Sequence, residues 1–150
     1  MRVVLQRVSK CLVEIDGNTV SKIKNGFLIL LGVKDTDEES DAVKLAKKIS
    51  GLRIFTDEND KMNLSLADVN GGVIVVSNFT LYADCSHGRR PSFIKAARPE
   101  ISNPLYEFFC DELKKNGVED VQTGEFGADM QVELCNDGPV TLVIDSDDLK

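Results

Sequence analysis

Ser77, Asn78 and Thr80 stand around Phe79 directly after the apolar run Val73-Ile74-Val75-Val76. Hydroxyl and amide groups delivered to the end of a rigid strand can bind, orient or polarise a substrate. The same residue types also cap strands and open loops. A Ser or Thr hydroxyl becomes a nucleophile only beside a base. The one histidine, His87, lies in an Arg-rich stretch with no diagnostic spacing to Ser77 or Thr80. Cys11, Cys85, Cys110 and Cys135 are scattered without a C-x-x-C pair, which excludes a zinc or redox motif of that kind. Metal-activated water therefore lacks ligands, and neither a metal nor another cofactor is expected. Gly71-Gly72 precedes a strand pattern, not a helix, so it is no phosphate-binding loop. An enzyme built here would do a reaction that needs positioning and main-chain donors more than a side-chain base.

Composition narrows the classes further. The 150 residues suit one domain over positions 1–150, able to bury ~70% of the unfolded surface. No apolar run reaches ~18 residues and no signal-peptide pattern opens the chain, so neither a membrane span nor secretion is expected. With unpaired thiols, this points to the cytoplasm. A net charge of −7 does not advertise a nucleic-acid binder. Against that trend, Cys85 to Pro99 holds no acid but carries Arg89, Arg90, Lys95 and Arg98. By itself such a cluster reads as a solvated basic patch; its other reading is a phosphate-contacting surface. The carboxylate turn Asp57-Glu58-Asn59-Asp60 lacks the ligand spacing of a calcium loop.

These groups need a frame to hold them. Met1 to Val8 reads as a strand, and Cys11 to Ile15, Asp16-Gly17-Asn18 and Thr19 to Ile23 as a hairpin. Phe27 to Val33 is nearly all apolar and suits a central strand. Thr36 and Glu39 form a capping box for a helix to about Ile49, with Ala42, Leu45, Ala46 and Ile49 on one face. Leu52 to Thr56 is a short strand, and Gly71 to Leu81 contains a strand buried on both faces. Asn103-Pro104 signals a second helix, which packs Leu105, Phe108, Phe109 and Leu113 and ends at Gly117. Met130 to Cys135 alternates as a half-buried strand and Val140 to Ile144 is its partner. On turn chemistry alone, Asn136-Asp137-Gly138-Pro139 joins them as a hairpin turn.

Ser77-Asn78-Phe79-Thr80-Leu81 resembles the first signature of the D-aminoacyl-tRNA deacylases, with Asn78 where that family usually carries Gln. Asn136-Asp137-Gly138-Pro139-Val140-Thr141 resembles its second. Met1 to Val8, Gly26 to Val33, Arg53-Ile54-Phe55, Lys61-Met62-Asn63 and Gly88 to Phe93 are also similar, so the likeness spans nearly the whole chain. The resemblance implies an α+β fold of antiparallel-rich β-sheets stacked with two main helices in β/β/α layers, paired as a homodimer. It implies hydrolysis of D-aminoacyl-tRNA, and of glycyl-tRNA as a second substrate. Main-chain N–H groups of Phe79 and Thr80, with Ser77 and Asn78, would form the catalytic site. A cis Gly138-Pro139 peptide from the other subunit would reject L-residues, oriented by Arg7, which otherwise reads as a solvated strand arginine. The basic cluster Arg89, Arg90, Lys95 and Arg98 would then meet tRNA. Two other classes stay open: a non-catalytic dimeric RNA-binding module, and an acidic interaction protein that ignores tRNA.

Overall fold

Val73, Ile74, Val75 and Val76 are all buried, which an alternating strand cannot achieve unless both of its faces are covered. The computed structural model describes residues 1–150 and shows what covers them. Its elements are β1 (Arg2–Ile15), β2 (Asn18–Ile23), β3 (Gly26–Gly32), α1 (Glu39–Ser50), β4 (Phe55–Thr56), β5 (Met62–Leu64), β6 (Gly72–Ser77), α2 (Pro99–Lys115), β7 (Val121–Thr123) and β8 (Gln131–Asp145). Short 3₁₀ turns follow β6 at Phe79–Tyr82 and β8 at Ser146–Asp148.

The main sheet runs β2-β1-β3-β6-β7, with β8 also on β1. β1 is antiparallel to β2, β3 and β8, whereas β3–β6 and β6–β7 are parallel. The sheet curls until its ends almost meet. There the Gln122 amide imitates a strand partner, accepting from the Lys22 N–H at 2.8 Å and donating to the Lys22 carbonyl at 2.9 Å. Ile74 and Val76 point into this nearly closed barrel with Val8, Cys11, Val13 and Leu28. Val73 and Val75 face the other way, into a larger core with Phe27, Ile29, Leu31 and both helices. Helix α1 presents Ala42, Leu45, Ala46 and Ile49 to that core, as the periodicity predicts. From α2, Phe109 and Leu113 join it, and the buried Tyr106 hydroxyl donates to the Val75 carbonyl at 2.7 Å.

Several boundaries depart from the sequence reading. Met1–Val8 and Cys11–Ile15 are one strand. Val8 pairs with Asn136 and Lys10 with Cys135, so Ser9 is an extra residue in a bulge, not a break. The expected C-terminal hairpin is also absent: Gln131–Asp145 is one strand, antiparallel to β1 from end to end. Thr36 does not cap α1. Asp37 is buried, its carboxylate held by the Met1 ammonium at 2.5 Å and the Lys34 N–H at 2.8 Å. The helix starts after Glu38, whose N–H donates to the Asp41 carboxylate at 2.9 Å. Helix α2 starts at Pro99, with Pro104 lying inside it. The Ala97 N–H bonds the Val33 carbonyl at 2.9 Å, which fixes the chain just ahead of the earlier proline. The strand expected from Leu52 narrows to Phe55–Thr56.

The parallel β3–β6 pair begins with Gly26 opposite Gly72. Gly26 has φ +152°, and a Cβ there would lie 1.8 Å from the Gly72 carbonyl oxygen. Gly26→Ala should therefore cost more than about 4 kcal/mol, or abolish folding, because neither backbone can retreat. Tyr106→Phe should cost only about 1 kcal/mol for the lost hydrogen bond. Urea denaturation of the two variants at constant slope checks the contrast.

Candidate functional site

Pairing of β3 with β6 continues one step past the strand end, where the Asn78 N–H donates to the Leu31 carbonyl at 2.8 Å. The chain then tightens into the Phe79–Tyr82 turn with Asn78 as its N-cap. Asn is suited to this place because its short amide reaches the backbone two residues on. The Asn78 Oδ1 accepts from the Thr80 N–H at 3.2 Å and also from the Thr80 hydroxyl. Phe79 is 55% exposed and meets the ring of Phe93 edge-on, with centroids 5.1 Å apart.

Beside this turn lies a cavity of about 510 Å³. Ser77, Asn78 and Phe79 line it on one side, Phe93 and the start of α2 at Arg98 and Pro99 on another. The β7–β8 connection, Phe126 to Met130, completes the wall. Residues of that connection escape the sequence reading because four of the five carry apolar or main-chain surface and no motif or spacing marks the one carboxylate, Asp129. The only available signal was Gly124 and Gly127 breaking the β-rich last third. Of the expected site residues, Ser77, Asn78, Phe79 and Arg98 line the cavity, whereas Thr80 is turned against Asn78 and is exposed.

A second constellation forms around Arg7, away from the lining of that cavity. Between the pairs Gln6–Thr141 and Val8–Asn136, β8 spends Asp137 to Val140 opposite the single residue Arg7. The excursion is pinned from both sides. Asn136 Nδ2 donates to the Arg7 carbonyl at 3.0 Å and to the Val140 carbonyl at 2.9 Å, closing its neck. Arg7 is buried, not solvated. Its Nε donates to the Asp137 carbonyl at 3.1 Å and its Nη1 to the Ile54 carbonyl at 2.6 Å. The Asp137 carboxylate lies 3.4 Å from Nε and balances the charge. Gly138 and Pro139 are exposed at the tip, joined by a cis peptide bond as expected. Gly138 has φ +126°, and a Cβ there would come within 2.9 Å of Arg7 Nη2.

The basic stretch is less uniform than its sequence. Lys95 is paired with Asp84 at 3.4 Å. Hydrogen bonds from Ser86, and then the Lys95 charge, hold the Asp84 carboxyl down at about 2. Arg89 and Arg90 are exposed and make no salt bridge, and Arg98 is the cation at the cavity. His87 Nδ1 meets the Ser86 Oγ at 2.7 Å on the exposed loop, and neither residue lines the cavity. Burial pushes the Cys11 thiol up to about 11 and the Cys110 thiol to about 12, so neither is a thiolate at neutral pH. The titratable side chains in the cavity lining are Arg98 and Asp129. Such an arrangement can hold and orient a substrate but offers it no paired nucleophile and base.

Comparison with known proteins matches this geometry to a family. Residues 4–145 fit the family model described as D-Tyr-tRNA(Tyr) deacylase. The chain is 57% identical over 146 residues to a D-aminoacyl-tRNA deacylase of Thermosipho africanus, covering 97% of each. It is equally similar, at 57% over 146 residues, to one of Clostridioides difficile. Among solved structures it superimposes with TM-score 0.90 and 35% identity on a protein titled c-Myc DNA Unwinding Element Binding Protein, covering 97% of this chain and 98% of that one. A probable eukaryotic D-amino acid tRNA deacylase shares the fold at TM-score 0.81 and 18% identity, over 96% and 98% of the two chains. The chain therefore belongs to the D-Tyr-tRNA(Tyr) deacylase family, whose curated members similar to it are named as hydrolases of D-aminoacyl-tRNA.

Proposed function

We propose that this protein hydrolyses the ester joining a D-amino acid to the terminal ribose of tRNA, releasing free tRNA and the D-amino acid. The observation that carries this reading is a cavity built on the Ser77–Phe79 strand end whose lining offers no nucleophile–base pair. An aminoacyl ester is activated, and the substrate brings its own vicinal 2′-hydroxyl. Water attacks the carbonyl carbon, the 2′-hydroxyl assists the proton transfer, and the ribose 3′-oxygen leaves. Main-chain N–H groups of Phe79 and Thr80 hold the oxyanion, while Ser77 and Asn78 shape the turn that presents them. No metal or other cofactor takes part in this scheme. Incubation with matched D- and L-aminoacyl-tRNA tests it: the D-ester should be lost and the L-ester should persist. Binding without release would favour a non-catalytic RNA-binding module. In the same assay Thr80→Ala should keep a substantial part of the D-specific rate, because a threonine hydroxyl without a base is inert. A loss of ~10⁴-fold in kcat with an intact fold would make Thr80 a nucleophile and overturn the scheme.

The chirality gate in this reading is Gly138-Pro139 of a second copy. Two features support it. The dipeptide lies at the exposed tip of a braced excursion, apart from its own chain's cavity. In addition, β8 has β1 as its only strand partner, and Val143 on it is 69% exposed. A homodimer can bring the tip of each subunit to the cavity of the other. Main-chain carbonyls there accept from the α-amino group of a D-residue and collide with an L-side chain. Glycine has no side chain to collide, so glycyl-tRNA is a second substrate. Gly138→Ala, strained at its φ and crowding Arg7, should raise L-ester cleavage relative to D by at least about tenfold, that is ~1.4 kcal/mol of discrimination. Unaltered D/L discrimination would remove Gly138 from the gate.

Arg89, Arg90, Lys95 and Arg98 are proposed to meet the tRNA backbone, with Arg89 and Arg90 the freest of the four, and the enzyme to act on tRNA in the cytoplasm. Arg89→Ala/Arg90→Ala should weaken tRNA binding and lower the salt slope of log K by roughly 1 to 2, leaving saturated turnover nearly unchanged. An unchanged slope would mean that the phosphates are held elsewhere.

A further inference from the structure

The Asn78 amide holds the main-chain donor that the proposed reaction needs. Its Oδ1 accepts from the Thr80 N–H at 3.2 Å and from the Thr80 hydroxyl as well. Resting on the reading above, in which that N–H binds the ester carbonyl oxygen, we propose that Asn78 Oδ1 competes with the substrate for the Thr80 N–H and must move aside before the oxyanion can be held. Asn78 would then be a positioning residue that sets how readily the donor is released.

The geometry favours a displaceable bond. Asn78 is half-buried at the cavity wall, while Thr80 is exposed, so the oxygen can leave into an open space of about 510 Å³. At 3.2 Å the N–H···O contact is at the long end of the ordinary range, and such a bond at a wet surface is worth little net free energy. The second bond, from the hydroxyl, fastens the same oxygen and explains why a threonine with no base beside it bears on the site. Closure over two residues also depends on side-chain length. Asn forms it readily, whereas the extra methylene of Gln carries the amide past the Thr80 N–H. The competitor is therefore a property of Asn at this position.

A purely structural N-cap makes opposite predictions, since Asp caps a helical turn as well as Asn does. Under the proposal, Asn78→Ala removes the competitor. The single-turnover kcat/KM for D-aminoacyl-tRNA should rise about 2- to 10-fold, the equivalent of one modest hydrogen bond. Asn78→Asp should lower it by at least about 100-fold, because a carboxylate grips both Thr80 donors and repels the developing oxyanion. If Ala falls and Asp keeps the rate, Asn78 is only a cap and the proposal fails. If both fall by about 10²–10³, its amide N–H is itself an oxyanion donor and the proposal fails in a different way. Thermal unfolding of each variant shows whether a loss is merely a loss of fold. A substrate-free readout completes the test: the Thr80 amide proton in ¹⁵N-labelled protein should move upfield and exchange faster in both Asn78→Ala and Asn78→Gln. An unmoved Thr80 amide would overturn the closure even if rates change. Failure of the wild type to cleave D-esters would instead sink the deacylase reading, while the Thr80 amide still reports on the closure.

Discussion

Strands β1 and β8 lie antiparallel over almost their entire lengths, from Arg2 opposite Asp145 to Glu14 opposite Gln131. That pairing forces each irregularity in one strand to be absorbed against the other. The Ser9 bulge changes which side of β1 faces inward, so Val3 and Leu5 join the helix-side core while Cys11 and Val13 fill the barrel. The longer excursion of β8 has no such freedom to slide. Pairs on both sides of it are fixed, and the surplus residues can only project outward. Arg7 then occupies the gap beneath them, where a buried guanidinium is tolerable because carbonyls of Asp137 and Ile54 and the Asp137 carboxylate surround it. An arginine is needed because one planar fork must reach two elements at once.

This constraint also explains where sequence reading succeeded. Periodicity found the buried face of α1, because that pattern is local and the core merely confirms it. The Val73–Val76 run, read as a strand covered twice, is indeed covered twice. The C-terminal hairpin failed for the opposite reason. Asn-Asp-Gly-Pro is good turn chemistry, but each flanking segment found a better partner in β1 than in the other. Local propensity cannot see a strand more than a hundred residues away. The starts of both helices were lost in the same manner. Met1 captures Asp37 at one, and the Val33 carbonyl fixes Ala97 at the other.

The candidate site was half legible. Polar residues after a buried strand identified Ser77 and Asn78, and the cavity does sit there. Phe126 to Met130 were invisible because no motif or spacing marks them, although Asp129 brings a carboxylate to the wall. Arg7 was ambiguous, since a strand arginine usually reaches water. Only the surplus in β8 turns it inward. On the proposed mechanism the working parts are main-chain donors, and such a site is inherently quiet in sequence: any residue supplies an N–H, and its direction is set by the fold. What sequence can reveal is a side chain able to engage such a donor, and here Asn78 accepts from the Thr80 N–H.

The overall charge of −7 looks ill-suited to a polyanionic substrate until its distribution is considered. At physiological ionic strength, exposed charges are felt over about 8 Å, so a ligand responds to the surface that it approaches and not to the total. The stretch from Cys85 to Pro99 contains no acid, and it adjoins the cavity through Phe93, Ala96, Ala97, Arg98 and Pro99. Its one ion pair, Lys95 with Asp84, ties its two limbs where Asp84 and Ser92 also exchange backbone hydrogen bonds. That pair commits one positive charge to holding the loop, while Arg89, Arg90 and Arg98 make no salt bridge. Acidic surface elsewhere then becomes an asset, because it disfavours nonspecific adherence of the rest of the molecule to RNA. On the proposed reading, a tRNA end arriving at the cavity meets the favourable field only when it is correctly placed. On that reading, specificity of approach follows from the division of charge and not from its total.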